Sequence, residues 1–138
     1  MLTSGILLDT KDILRDLRIK KQLSKPVRQS ELQTAVIDAL GLAEIERRDT
    51  DHRPLPSLTA RSLRILLAED SVVNQKLAVG LLGKWGHQVT VVSNGEEAVV
   101  ATESADYDVV LMDLEMPGMD GLQATRAIRR REQRTGRH

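Results

Sequence analysis

A chain of 138 residues is long enough for one compact domain with a real core, and short for two. Its 20 basic and 20 acidic residues cancel, so nothing drives sequence-independent binding to nucleic acid or to an anionic membrane. The absence of cysteine excludes disulfides and thiolate metal sites and suits a cytoplasmic location. No apolar run approaches the roughly 18 residues needed to cross a bilayer, and the first residues do not form a signal peptide. Aromatic side chains are limited to Trp85 and Tyr107, so the core is aliphatic and base-stacking platforms are excluded.

In chain order, residues 6–19 carry a helical pattern, KQLS at 21–24 is a short strand, and residues 30–40 form a second helix. Its apolar positions Leu32, Ala35, Val36, Ala39 and Leu40 recur at helical spacing, Gln29 or Ser30 is placed to cap it, and Gly41 to stop it. Residues 42–62 combine charge with Pro54 and Pro56 and lack periodicity, as a linker does. From residue 63 the texture changes. LRILLA is a buried-type strand, and the helix after it runs to about Trp85 with Val73, Leu77 and Leu81 on one face and Gly86 at its end. HQVTVVS is a strand, SNGEEAVVATESA a helix, YDVVLMDL a strand, and a last helix begins near Asp120. Strands alternating with helices at these lengths mean βαβ units and a parallel sheet.

In such a sheet, ligands bind beyond the carboxyl ends of the strands. Two strands end there in acids, one in Glu69 and Asp70 and the other in Asp113. Three converging carboxylates repel unless a cation or proton intervenes, and hard oxygen ligands suit Mg²⁺. Taken singly, Asp70 or Ser71 is as well explained as a helix cap. Asp113, however, opens DLEMPGMDG, in which Pro117 and Gly118 make a tight turn and Asp120-Gly121 lead into a helix.

These residues resemble the receiver domain family of response regulators. The resemblance rests on AEDS at 68–71, NQ at 74–75, SNGEEAV at 93–99 and YDVVLMDLEMPGMDGLQATRAIR at 107–129. It covers residues 63–130, and EDSxxNQ paired with MDLEMPGMDG is most similar to receivers of hybrid sensor histidine kinases. The resemblance implies that Asp113 accepts the phosphoryl group. It implies that Glu69 and Asp70 hold Mg²⁺ directly or through water, with Asp113 and the backbone carbonyl of Glu115 completing the metal site. It also implies phosphohistidine-bearing kinase and histidine phosphotransfer domains as partners, in a transferase whose kinase catalytic portion is not in these 138 residues. An aspartyl-nucleophile phosphatase of the haloacid-dehalogenase type fits worse, because it wants aspartate where Glu115 stands.

A receiver has five strands, and residues 63–138 supply three. The missing pieces resemble segments at the front of the chain. MLTSG is similar to the end of the fourth strand, with Thr3 at the switch hydroxyl position. QLSKPV is similar to the fifth, with Lys25 at the position that binds the acyl phosphate and Gln22 where the family has an aromatic. Residues 1–41 thus resemble the carboxyl-terminal portion of one receiver, 42–62 a linker, and 63–138 the amino-terminal portion of a second. The expectation is a flavodoxin-like α/β fold with a parallel five-stranded sheet, its elements in circularly permuted order or completed by domain swapping. A linker of about twenty residues reaches roughly 60 Å, enough to close a permuted monomer. The alternatives are a swapped homodimer, or a receiver-like interaction module that takes no phosphate. His52, His87 and His138 share no metal-ligand spacing, and Arg126, Arg129, Arg130, Arg131 and Arg134 are expected on a solvated helix end.

Overall fold

The structure is a computed structural model, and it describes residues 2–3, 10–40 and 61–136. In chain order these form β1 (Leu2–Thr3), α1 (Thr10–Asp16), β2 (Leu23–Ser24), α2 (Gln29–Ala39), β3 (Arg64–Ala68), α3 (Val72–Lys84), β4 (Gln88–Val92), α4 (Gly95–Ser104), β5 (Val109–Met112) and α5 (Gly121–Thr135). Residue 41 and the linker expected at 42–62, apart from residues 61 and 62, lie outside the described residues, as do positions 4–9.

Every strand pairing is parallel. β3 is central in the order β4-β3-β5, with Ile65 opposite both Val89 and Val109 and Ala68 opposite both Val92 and Met112. β1 pairs with β2 in a separate ladder, Leu2 opposite Leu23 and Thr3 opposite Ser24. The parallel α/β class is as expected. A single five-stranded sheet is not what the described residues form, because each strand of the second ladder is only two residues long.

Side-chain alternation explains why β3 is apolar throughout. Ile65 and Leu67 enter one core with Leu23, Leu32, Ala35, Val36, Leu82 and Leu111, while Leu66 and Ala68 enter another with Ala98, Met112, Met116 and Ala124. Helices α2 and α3 therefore cover one face of the sheet, and α4 and α5 the other. Trp85 lies at the edge of the first core, as its place after the helix suggests.

Several helix details depart from the sequence reading. On α3 the inward residues are Leu82, with Ala78 and Leu81 partly buried, whereas Val73 and Leu77 are 67% and 62% exposed. The four-residue spacing is real, but the face that packs is the one carrying Leu82 and Trp85. The N-cap of α2 is Arg28, in extended conformation and without a side-chain cap, so neither Gln29 nor Ser30 caps it. Helix α1 ends at Asp16 in a Schellman loop: Ile19 N–H donates to the Leu14 carbonyl at 2.9 Å and Arg18 N–H to Arg15 at 3.0 Å. Arg18 takes the left-handed position there, with φ 52°. Helix α3 ends in the same loop with Gly86 at φ 80°, His87 donating to Leu82 and Gly86 to Gly83.

Candidate phosphoacceptor and metal site

Parallel pairing carries the ends of β3 and β5 to the same edge. Glu69 N–H donates to the Val92 carbonyl at 3.1 Å and Asp113 N–H to the Ala68 carbonyl at 2.9 Å, so both acids continue the ladder. That backbone anchoring buries them, at 2% and 1% exposure, while Asp70 on the following bend is exposed. One carboxylate oxygen from each of Glu69, Asp70 and Asp113 lies within 4.8 Å of the others.

Two buried carboxylates side by side need compensation. Lys25, just past β2, supplies it. Its Nζ is 2.7 Å from Asp113 Oδ2 and 3.1 Å from Glu69 Oε2. Burial pulls the Lys25 ammonium down, but hydrogen bonds to Asp113 and Glu69, and their charges, outweigh it and hold the group above its ordinary 10.5. The remaining lone pairs are also used. Glu69 Oε1 accepts from Asn74 Nδ2 at 3.1 Å and from Ser71 N–H at 3.3 Å, and Gln75 Nε2 donates to the Glu69 carbonyl at 2.6 Å. Asp113 Oδ1 accepts from Glu115 N–H at 3.2 Å. The N-cap of α3 is Ser71, and its side chain makes no capping bond, so the cap explanation of this acidic stretch fails.

The turn after Asp113 is shaped by glycine. A Cβ on Gly121 would stand 2.0 Å from the Asp113 carbonyl oxygen, so the start of α5 can approach the acid only without a side chain there. A capping box fixes that start: Asp120 accepts from Gln123 N–H at 2.7 Å and Gln123 Oε1 accepts from Asp120 N–H at 3.1 Å.

Of the residues singled out from sequence, Glu69, Asp70, Asp113 and Lys25 converge, and Glu115 sits two residues beyond Asp113, exposed. The backbone of Thr3 pairs with Ser24, the neighbour of Lys25, while its side chain lies outside the described residues. Asn74 and Gln75 belong to the motif that carries the resemblance, and their amides hold Glu69 from the first turn of α3. His52 and His138 lie outside the described residues, and His87 is remote, its Nδ1 facing Leu63 N–H at 3.4 Å. Arg129 differs from the solvated role expected of it: it donates from Nε to the Leu17 carbonyl at 2.8 Å and pairs with Glu132 at 2.6 Å. The donor set fits Mg²⁺: three hard carboxylates with a single lysine cannot neutralise one another, and no softer ligand intrudes.

Comparison with known proteins agrees with this geometry. Residues 65–137 match the model of the response regulator receiver domain. The chain is 37% identical over 123 residues to Probable histidine kinase 5 of Oryza sativa subsp. japonica, a match covering 86% of this chain and 10% of that protein. Among solved structures it resembles the receiver domain of sensor histidine kinase PA1611 from Pseudomonas aeruginosa PAO1, which has a magnesium ion coordinated in its active site cleft. That likeness has a TM-score of 0.50 and 43% identity, over 51% of this chain and 57% of that one. It also resembles full-length ShkA in complex with AMPPNP, with a TM-score of 0.52 and 31% identity over 94% of this chain and 27% of that one. The chain thus spans about a tenth of the kinase it matches. With the acids, the lysine and the DLEMPGMDG turn in one place, and with the family model matched over more than half its length, the chain belongs to the response-regulator receiver domain family.

Proposed function

We propose that the chain is a phosphoacceptor module of a two-component phosphorelay, taking a phosphoryl group from a phosphohistidine onto Asp113. The observation that carries this is the 2.7 Å pair between Lys25, near the front of the chain, and Asp113, 88 positions later. Nothing in local folding requires that pairing, whereas an acyl phosphate on Asp113 needs a fixed cation beside it.

An Asp113 carboxylate oxygen attacks phosphorus. The new P–O bond forms as the P–N bond breaks, and the imidazole nitrogen keeps the electron pair and takes a proton from water. An anion attacking an anion makes positioning and charge neutralisation the main work. Glu69, Asp70, Asp113 and the Glu115 carbonyl would hold Mg²⁺, which would supply positive charge against that anionic repulsion. Glu69 is itself fixed by Asn74, and Glu115 N–H holds one Asp113 oxygen in place. Lys25 stays charged at neutral pH because its two carboxylate partners outweigh the effect of burial, and the Thr3 backbone pairs beside it with Ser24.

Val72, Val73 and Leu77 leave an exposed aliphatic strip on α3 immediately after the acids. That strip supports docking of a helical histidine-bearing partner, either a kinase phosphohistidine domain or a histidine phosphotransfer domain. Closure of both halves within one permuted chain is supported by the core that Leu23, Leu32 and Val36 share with Ile65, Leu67 and Val109. A cytoplasmic site of action follows from this role; among the described residues no helix is long and apolar enough to cross a membrane.

Incubation with a small phosphodonor and Mg²⁺ should add the mass of one phosphate, and Asp113→Asn should remove the addition. A folded sample that gains no mass overturns the proposal and leaves an interaction module. Mass in solution checks the closure: a monomer retaining phosphate uptake supports it, and an obligate dimer contradicts it.

A further inference from the structure

Helices α4 and α5 lie side by side on one face of the sheet, where Ala98 and Ala124 share a core. Two contacts fix their stagger. A Cβ on Gly95 would stand 3.1 Å from that of Ala124, and Arg131 pairs with Glu103 at 3.4 Å. Position 95 thus lies level with 124 and position 103 with 131, so the two helices run parallel at a nearly constant offset.

Their outward sides carry opposite charges. On α5, Arg129 and Arg131 are taken up by Glu132 and Glu103. Arg126, Arg130 and Arg134, at four-residue steps, are exposed and have no partner among the described residues. They form one basic stripe about 12 Å long. On α4, Glu96 and Glu103 are exposed at seven-residue spacing, with Val100, 59% exposed, between them. Glu96 has no partner among the described residues, and the Arg131 pair leaves the Glu103 side chain 48% exposed. A solvated face explains either stripe alone, but not their match in level. By the stagger, Glu96 lies within two residues of the level of Arg126, and Glu103 within two of Arg130. That is about 3 Å of helical rise in each case.

We infer that the outer face of α4 and α5 is a self-docking surface for a second copy of this chain. Each copy lays its acidic stripe on the other's basic stripe, about a twofold axis parallel to the helices. A twofold axis across the helices sets arginines on arginines, so the charges select the axis. At this level Val100 of the second copy falls between Arg126 and Arg130, whose aliphatic stems cover it. A nucleic acid or an anionic membrane would meet the acidic stripe beside the basic one, and an acidic helix of another protein would leave the acidic stripe unmatched. A second copy satisfies both at once. Exposed ion pairs contribute little singly, so the copies associate weakly and separate on dilution, unlike an obligate dimer that exchanges strands.

Sedimentation equilibrium of the full chain tests this. At about 0.05 M salt the average mass should rise with protein concentration, and at about 0.5 M salt the association should weaken about tenfold. Arg126→Glu should weaken it about tenfold at low salt, and so should Glu96→Arg, because each sets like charges together. The two combined in one chain leave the net charge as it was and should restore association. Glu96→Arg combined with Arg134→Glu, of the same net charge, should not restore it. Should either single variant fail to fold, Arg130→Glu tests the second pair. A mass that stays at one chain, association unmoved by salt or by these reversals, or a matched double variant no better than the mismatched one would each overturn the inference.

Discussion

Helices α1 and α3 end in the same backbone loop, yet Gly86 occupies the left-handed position of one and Arg18 that of the other. The contrast extends to the whole of each part. Residues 61–136 have strands of four and five residues in continuous register, a capping box on α5 and an Asn94 cap on α4. Residues 2–40 have two-residue strands and an uncapped α2, and Arg18 is braced from outside, by Arg129 of α5 donating to the Leu17 and Arg18 carbonyls. The first part is locally consistent, and the second is held by docking. Since Lys25 belongs to the docked part, completing the site and completing the fold are one event.

The largest break in that contrast comes from Leu32→Ala. Leu32 is 3% exposed and belongs to the core shared by both parts. Its truncation should cost about 3 kcal/mol in chemical denaturation. Amide protection in β1 and β2 should fall before that in β3. Loss at equal denaturant in both parts would show them to be a single cooperative unit instead.

Lys25→Met tests the junction itself. Without the ammonium, two carboxylates at 2% and 1% exposure face each other. With Lys25 a fifth exposed, the loss should be about 2 kcal/mol in chelator, less than for a fully buried pair. Mg²⁺ should recover part of it in the thermal midpoint. The pKa of Lys25 is raised in the fold, so its contribution is complete below 10.5 and is lost as pH rises through the folded value. The wild type should therefore lose stability in that alkaline range, and the Met variant should lack that loss.

The same contrast decides what the sequence disclosed. The β3, β4 and β5 segments were legible because buried parallel strands read as apolar runs, and Glu69, Asp70 and Asp113 because two strands end in acids at one sheet edge and Asp113 opens DLEMPGMDG. The partner of Lys25 came from resemblance, since no local pattern relates positions 25 and 113. What misled was helical periodicity: Val73 and Leu77 share a stripe, but α3 is apolar on more than one side, and spacing does not say which side meets the sheet. Nor does spacing reveal a left-handed arginine at position 18, whose support arrives from 111 residues away.

A smaller effect of opposite sign is expected from Arg18→Gly. At φ 52° a Cβ is strained, and glycine relieves this at the cost of a more flexible unfolded chain. A net gain of about 0.5 kcal/mol should appear in the denaturation midpoint with phosphate uptake unchanged. A loss would mean that the arginine side chain contributes more than its backbone costs, and docking would then extend to the end of α1.

His87→Gln should give the smallest change and confine it to one part. Burial lowers the His87 pKa below its ordinary 6.5, and Nδ1 faces the Leu63 N–H at the start of β3. Between the folded value and 6.5 the unfolded chain binds more protons, so stability rises with pH through that window. The contribution is complete above 6.5 and is lost as pH falls through the folded value. Glutamine keeps an acceptor for the Leu63 amide without titrating. The difference in stability between wild type and variant should thus shrink or reverse as pH falls, whereas parallel curves would sink the assignment. Because the hydrogen bonds of His87 join α3 to β3, amide protection in α2 should follow the same pH course in both proteins.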